Sequence, residues 1–249
     1  EIVSRDWSSD VCSSDLDDYY EISISSTLED GHLTYGEFFI PGSLSDEILI
    51  SCYVCHPSMC NDNLSGVVLT TMLAKELSKI QTNYSFRFLF IPETIGAITW
   101  LARNEKNLHK IKHGLVVTCV GDSGNLTYKK SRKGDHEIDT AAQNILNFSS
   151  SSYRIEDFYP FGSDERQFCS PGFDLPFGSL MRTPYGQFPE YHTSADNLNF
   201  IKPENMADTL SKYLSILYVL ENNGLFVNLN PKCEPQLGKR MLYNSIGGS

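Results

Sequence analysis

The chain is 249 residues long, 41% hydrophobic, and carries a formal charge of −11 at pH 7. That length and apolar content suffice for one buried α/β core, since domains of this class commonly run to roughly 200–250 residues. The acidic balance argues against a nucleic-acid partner, which requires clustered Lys and Arg, and no apolar run approaches the roughly 18–20 residues that span a bilayer.

Residues 5–16 read RDWSSDVCSSDL, with neither helical nor strand periodicity. They resemble a translated sequencing adapter, the alternative being a Ser/Asp-rich leader. Residues 1–16 are therefore set aside, and the fold argument starts at about Asp17. Beyond Cys12 the remaining cysteines are scattered through apolar strands rather than spaced as a disulfide framework. This predicts reduced thiols and a cytoplasmic setting.

In chain order, strand patterns cover residues 33–40 and 47–54, and a helix follows over 64–80, where Leu69, Met72, Leu73, Leu77 and Ile80 fall on one face. A strand over 84–91 leads to a helix over 95–108, and a strand over 115–120 leads to a helix over 137–148. Between these last two, Lys129-Lys130-Ser131-Arg132-Lys133 lies beside a Gly-Asp turn and reads as a solvated strand end or hairpin. A last strand covers 175–181, and a final helix opens at Pro203-Glu204 and ends at Asn222-Asn223-Gly224. Strands alternating with helices predict an α/β fold: a mainly parallel mixed sheet with helices on both faces. The domain runs over residues 17–224. Residues 225–249, with Asn-Pro, Glu-Pro and Gly-Gly-Ser, read as a linker into a further segment.

In open α/β sheets, ligands sit outside the carboxyl ends of the strands. Five polar residues arrive there: His56 and Asp62 after the second strand, Glu93 after the third, Asp122 after the fourth and His192 after the last. Two imidazoles and three carboxylates on one edge form a zinc set, because zinc takes N and O ligands and a hydrolytic site keeps one position for water. Each residue alone has a plainer reading. Asp62 or Asn63 could cap the following helix, His56 could be a core histidine, Asp122 a turn residue, and His192 a surface side chain. Their joint placement favours a metal site over these separate readings.

The motifs His56-Pro57, Asn61-Asp62-Asn63-Leu64-Ser65-Gly66, Pro92-Glu93-Thr94-Ile95-Gly96, Gly121-Asp122 and Tyr191-His192-Thr193-Ser194-Ala195-Asp196-Asn197 resemble the metal-binding motifs of clan MH di-zinc aminopeptidases. They are most similar to a bacterial aminopeptidase-like branch, part of it linked to polysaccharide biosynthesis, in which a winged-helix segment follows the peptidase domain. The resemblance implies zinc-dependent hydrolysis of an amide in a small peptide, an aminoacyl conjugate or an N-acyl substrate. It implies that Asp62 bridges two metals, that His56 and Asp122 complete one zinc, and that His192 binds the second. Glu93 matches the base that moves a proton from the attacking water to the leaving amine. Tyr191 is placed like a phenol that supports the oxyanion.

Two positions depart from that pattern. Thr94 stands where a second Glu would bind the second zinc, leaving one or two ions open, and Ser58 stands where an Asp would orient the first imidazole. Glu165 could substitute as a ligand, or it could open a surface helix. Three rival readings follow. Cys52-Tyr53-Val54-Cys55-His56 fits a c-type haem attachment pattern, although it ends a strand run. The same cysteines suggest a thioredoxin-like motif, which His56-Pro57 opposes because the second Cys of that motif begins a helix. The third is a non-catalytic sugar- or peptide-binding module on the same fold, which Thr94 and Ser58 favour and Glu93 opposes.

Overall fold

The computed structural model describes residues 25–149, 151–224, 227–233 and 236–243. The adapter-like segment lies outside them. Among the described residues, seven strands form one mixed sheet in the order β1-β3-β2-β4-β7-β5-β6. At its centre β2 (Glu47–Tyr53), every residue of which is buried, lies parallel to both β3 (Ser85–Ile91) and β4 (Ile111–Val117). β7 (Phe177–Met181) continues parallel to β4, so four adjacent strands point their carboxyl ends at one edge. β1 (Gly36–Ile40) closes one side antiparallel to β3. On the other side β5 (Leu126–Lys129) runs antiparallel to β7 and parallel to β6 (Tyr153–Glu156).

The alternation of strand side chains divides the core in two. Ile48, Ile50, Cys52, Phe86, Phe88, Leu115 and Val117 face α1 (Ser65–Leu77), α3 (Glu137–Asn147) and α5 (Pro203–Asn222). Leu49, Leu89, Ile91, Val116 and Phe177 face α2 (Ile95–Asn104) and the single-turn α4 (Glu165–Phe168). The predicted architecture is therefore present: a mostly parallel sheet with helices on both faces.

Several boundaries move for physical reasons. The apolar stripe of α1 is narrower than its periodicity suggests: Leu69, Leu73 and Leu77 are buried in i, i+4 steps, whereas Met72 faces solvent and Ile80 lies past the helix end. β4 stops at Val117 rather than continuing to residue 120, and Cys119 takes a left-handed φ of 48° as the chain leaves the ladder. β5 and β6 are four residues each, too short for a two-residue period to stand out in the sequence. Lys129, read as part of a solvated run, is fully buried. Its Nζ donates to Glu165 Oε1 at 2.8 Å and to the Phe161 carbonyl at 2.6 Å, and it sits 3.8 Å from the centroid of the Tyr159 ring. In the tail, the described residues carry one 3-10 turn, Leu237–Arg240, that buries no residue.

Candidate metal centre

β2 ends at Tyr53, and His56 follows as a buried residue whose Nε2 lies 4.0 Å from Asp62 Oδ2 and 3.8 Å from Glu93 Oε2. Asp62 sits in a π-helical turn, Cys60–Leu64, between β2 and α1, with non-helical dihedrals of φ −113° and ψ 78°. Neither Asp62 nor Asn63 caps α1, whose N-cap is Leu64. The Asp62 side chain instead accepts the Tyr53 hydroxyl on Oδ1, and the Thr118 hydroxyl lies 2.6 Å from that same tyrosine oxygen. His192, held at a left-handed φ of 57°, brings its Nε2 to 3.0 Å from Asp62 Oδ2. One ligand atom from each of His56, Asp62 and His192 thus lies within 4.8 Å of the others. Tyr191 stacks on the His192 ring at 3.7 Å between centroids.

The electrostatics suit a cation. Burial pushes the His56 imidazole below its usual value, with the Asp62 charge opposing, and the neutral ring is the form that offers a lone pair. Glu93 is raised to about 7, chiefly by burial, with the Asp62 charge adding to the shift. Tyr191 is also pushed up, mostly by burial, and keeps its proton. Two imidazole nitrogens and one carboxylate form a donor set that zinc accepts while leaving a position open. These three residues fit that ion.

Asp122 does not join them. Its Oδ2 accepts from Asn61 Nδ2 at 3.0 Å and from the Thr183 N–H at 3.2 Å, and its Oδ1 accepts from the Gly124 N–H at 2.7 Å and from Thr183 Oγ1 at 2.6 Å. With four donors satisfied, this carboxylate ties the turn after β4 to Asn61 and to the chain after β7. Glu165 does not join either. It is buried rather than at a surface helix start, and its Oε1 is taken by Lys129 Nζ and by the Tyr185 hydroxyl at 2.9 Å. Thr94 is turned toward the same segment: its N–H donates to Asp164 Oδ1 at 2.7 Å, and its hydroxyl accepts from Arg166 at 3.0 Å. Ser58 is exposed, and Cys55 Sγ lies against the first imidazole instead, 3.3 Å from His56 Nδ1. Cys52 is fully buried in β2 while Cys55 is exposed, so the two thiols do not open on one surface as haem attachment requires.

The residue that the sequence reading missed is Asp196. Its buried carboxylate accepts the N–H of Asn61 at 2.6 Å and that of Asp62 at 3.0 Å, and its carbonyl accepts the N–H of Cys60 at 3.1 Å. It stands four residues after His192, so one loop supplies both a candidate ligand and the anchor of another. Asp196 falls within the family-like motif Tyr191-His192-Thr193-Ser194-Ala195-Asp196-Asn197, which gave it no role of its own.

Comparison with known proteins shows the family and the fold. The profile of a family described as a domain of unknown function, DUF4910, matches residues 5–223. The chain belongs to the DUF4910 family. The match begins within the segment set aside as adapter-like, residues 5–16. A protein of Clostridium acetobutylicum, provisionally named a polysaccharide biosynthesis protein with an aminopeptidase-like domain, is 60% identical over 232 residues, which are 93% of this chain and 53% of that one. A crystal structure from the same organism, provisionally described as a peptidase, is 60% identical and superposes with a TM-score of 0.82, covering 86% of this chain and 50% of that chain. This DUF4910 chain thus spans about half the length of these relatives. A zinc aminopeptidase from Bacillus subtilis shares the fold at 17% identity, with a TM-score of 0.62 over 75% of this chain and 49% of that chain. The fold is aminopeptidase-like. Among the described residues, no helix is long and apolar enough to cross a membrane.

Proposed function

We propose that this domain is a zinc-dependent hydrolase of the aminopeptidase type, cleaving an amide bond in a small peptide, an aminoacyl conjugate or an N-acyl substrate. The convergence of His56, Asp62 and His192 with Glu93 beside them carries the reading. His56, Asp62 and His192 would hold the ion. When bound, zinc supplies Lewis acidity, polarising a carbonyl and making water acidic near neutral pH.

The chain's own groups do the rest. Glu93, with its carboxyl raised to about 7, is poised to take a proton from the attacking water and return it to the leaving nitrogen at neutral pH. Tyr191 retains its proton and is a donor for the carbonyl oxygen as that atom gains charge. Asp122 and Asp196 act at one remove by fixing the turn that carries Asp62. The provisional name of the Clostridium relative directs the first substrates tried toward N-acyl sugars as well as aminoacyl amides.

A non-catalytic binding module is the second reading. It is favoured by Thr94 and by the inward turn of Asp122, which leave Asp62 as the one carboxylate in the histidine group. Elemental analysis of protein purified without chelator, paired with two variants, separates the readings. Glu93→Gln should keep zinc and lose turnover by at least about a hundredfold, the lower range of a positioned base. Asp62→Asn should lose zinc as well. If Glu93→Gln releases zinc, Glu93 is a ligand rather than the base. Zinc-loaded wild-type protein that hydrolyses no aminoacyl or N-acyl substrate would establish the binding module.

A further inference from the structure

Cys55 is a group that the proposed reaction does not use, yet it touches two residues that the reaction does. The residue is exposed, and its sulfur lies 3.3 Å from His56 Nδ1 and accepts the N–H of Glu93 at 3.2 Å. Glu93 Oε2 lies 3.8 Å from His56 Nε2. One ligand atom each from Cys55, His56 and Glu93 falls within 4.8 Å of the others. This second group is distinct in chemistry from the first, because it offers one sulfur, one nitrogen and one oxygen. It is also distinct in access, because Cys55 is exposed and Glu93 half-buried while Asp62 is buried. A thiolate selects zinc and softer cations over hard ones.

We propose that Cys55, His56 and Glu93 form a second cation site that takes a thiophilic divalent cation, zinc in excess or cadmium, and that filling it switches the hydrolase off. The switch rests on the reading of Glu93 as the base; the site itself does not. As the metal–sulfur bond forms, the thiol proton leaves to solvent, and the Glu93 carboxylate becomes a ligand whose lone pair can no longer accept a proton. His56 belongs to both groups, so occupation of the outer site also draws its imidazole away from Asp62 and His192.

The test uses the whole chain as wild type, Cys55→Ser, and Cys233→Ser as a control at another exposed thiol. Cadmium is followed by its ultraviolet sulfur-to-metal charge-transfer band, and turnover is titrated with zinc beyond the amount that gives full activity. The band should fall by one thiolate equivalent in Cys55→Ser and stay at the wild-type level in Cys233→Ser. The zinc concentration that halves each protein's own maximal rate should rise at least about tenfold in Cys55→Ser, the lower end of what losing even an outer partner costs a metal site. Cys55→Ala gives the same comparison should the serine variant misfold. Identical bands and identical inhibition in wild type and Cys55→Ser overturn the site while leaving hydrolysis intact. A Cys55-dependent band in a protein that hydrolyses nothing keeps the site and removes the switch.

Discussion

Asp196→Asn tests whether the candidate centre is held by its ligands or by what anchors them. The two oxygens of this carboxylate accept separate backbone N–H groups, from Asn61 at 2.6 Å and from Asp62 at 3.0 Å. Asparagine keeps one acceptor and turns an NH2 toward the other N–H, so a charge-assisted hydrogen bond is replaced by two facing donors. Hydrogen bonds to charged groups contribute about 1.5–3 kcal/mol, and a buried unpaired donor costs about 1–3 kcal/mol. Burial raises the Asp196 carboxyl, so the neutral amide recovers some desolvation, and the loss should fall near 1.5–3 kcal/mol. Urea unfolding of zinc-free protein measures that loss. Chelator competition should show zinc affinity lowered about 10–100-fold, as for an outer residue that orients a ligand. A variant that unfolds within about 0.5 kcal/mol of wild type, the range of an unimportant surface change, and holds zinc equally well would refute the anchor.

Asp122→Asn should leave zinc content unchanged while lowering stability by about 1–3 kcal/mol through Asn61 and Thr183; loss of zinc from a folded variant would restore Asp122 as a ligand. Lys129→Met strips the buried Glu165 of its partner and should cost about 3–5 kcal/mol, much of it recovered in a double variant with Glu165→Leu; additive losses would show that the pair is not coupled. In zinc-free protein, Glu93 titrates at its ordinary 4.5 when unfolded and at about 7 when folded. The folded state then binds more protons between those values, and stability falls as pH rises through that window. Asp164, raised to about 8 by burial, gives a slope of the same sign. The measurement is therefore the difference from Glu93→Gln in thermal melts at pH 4.5 to 7, and equal slopes would mean that Glu93 titrates normally.

The strands that carry the site were legible because each is a long, doubly buried apolar run ending in a polar residue: Ser51 to Tyr53 before His56, Phe88 to Ile91 before Glu93. Periodicity marks where such a strand ends, and topology then places the next residues at the carboxyl edge. It does not say which way a side chain turns there. Asp122 follows a strand as Glu93 does, but Thr183, sixty-one residues on, offers it two donors. Lys129 looked solvated because three more charges, Lys130, Arg132 and Lys133, follow it in sequence, whereas its partners, Phe161, Glu165 and Tyr185, lie on later segments. The role of Asp196 was hidden for the same reason: its motif was legible, but the two N–H groups that it accepts lie more than 130 residues away.

That separation sets an order of events during synthesis. Chains emerge amino end first, and contacts between distant segments wait for the later one to appear. His56, Asp62 and Glu93 are all available once β3 is made, but the turn bearing Asp62 has no anchor, and the group no second imidazole, until residues 192–196 have left the ribosome. A nascent chain therefore presents scattered donors rather than a closed set. On the proposed metal reading, uptake would await a polypeptide whose sheet is already complete through β7, and a product cut short before residue 192 would carry most of the motif and none of the grip.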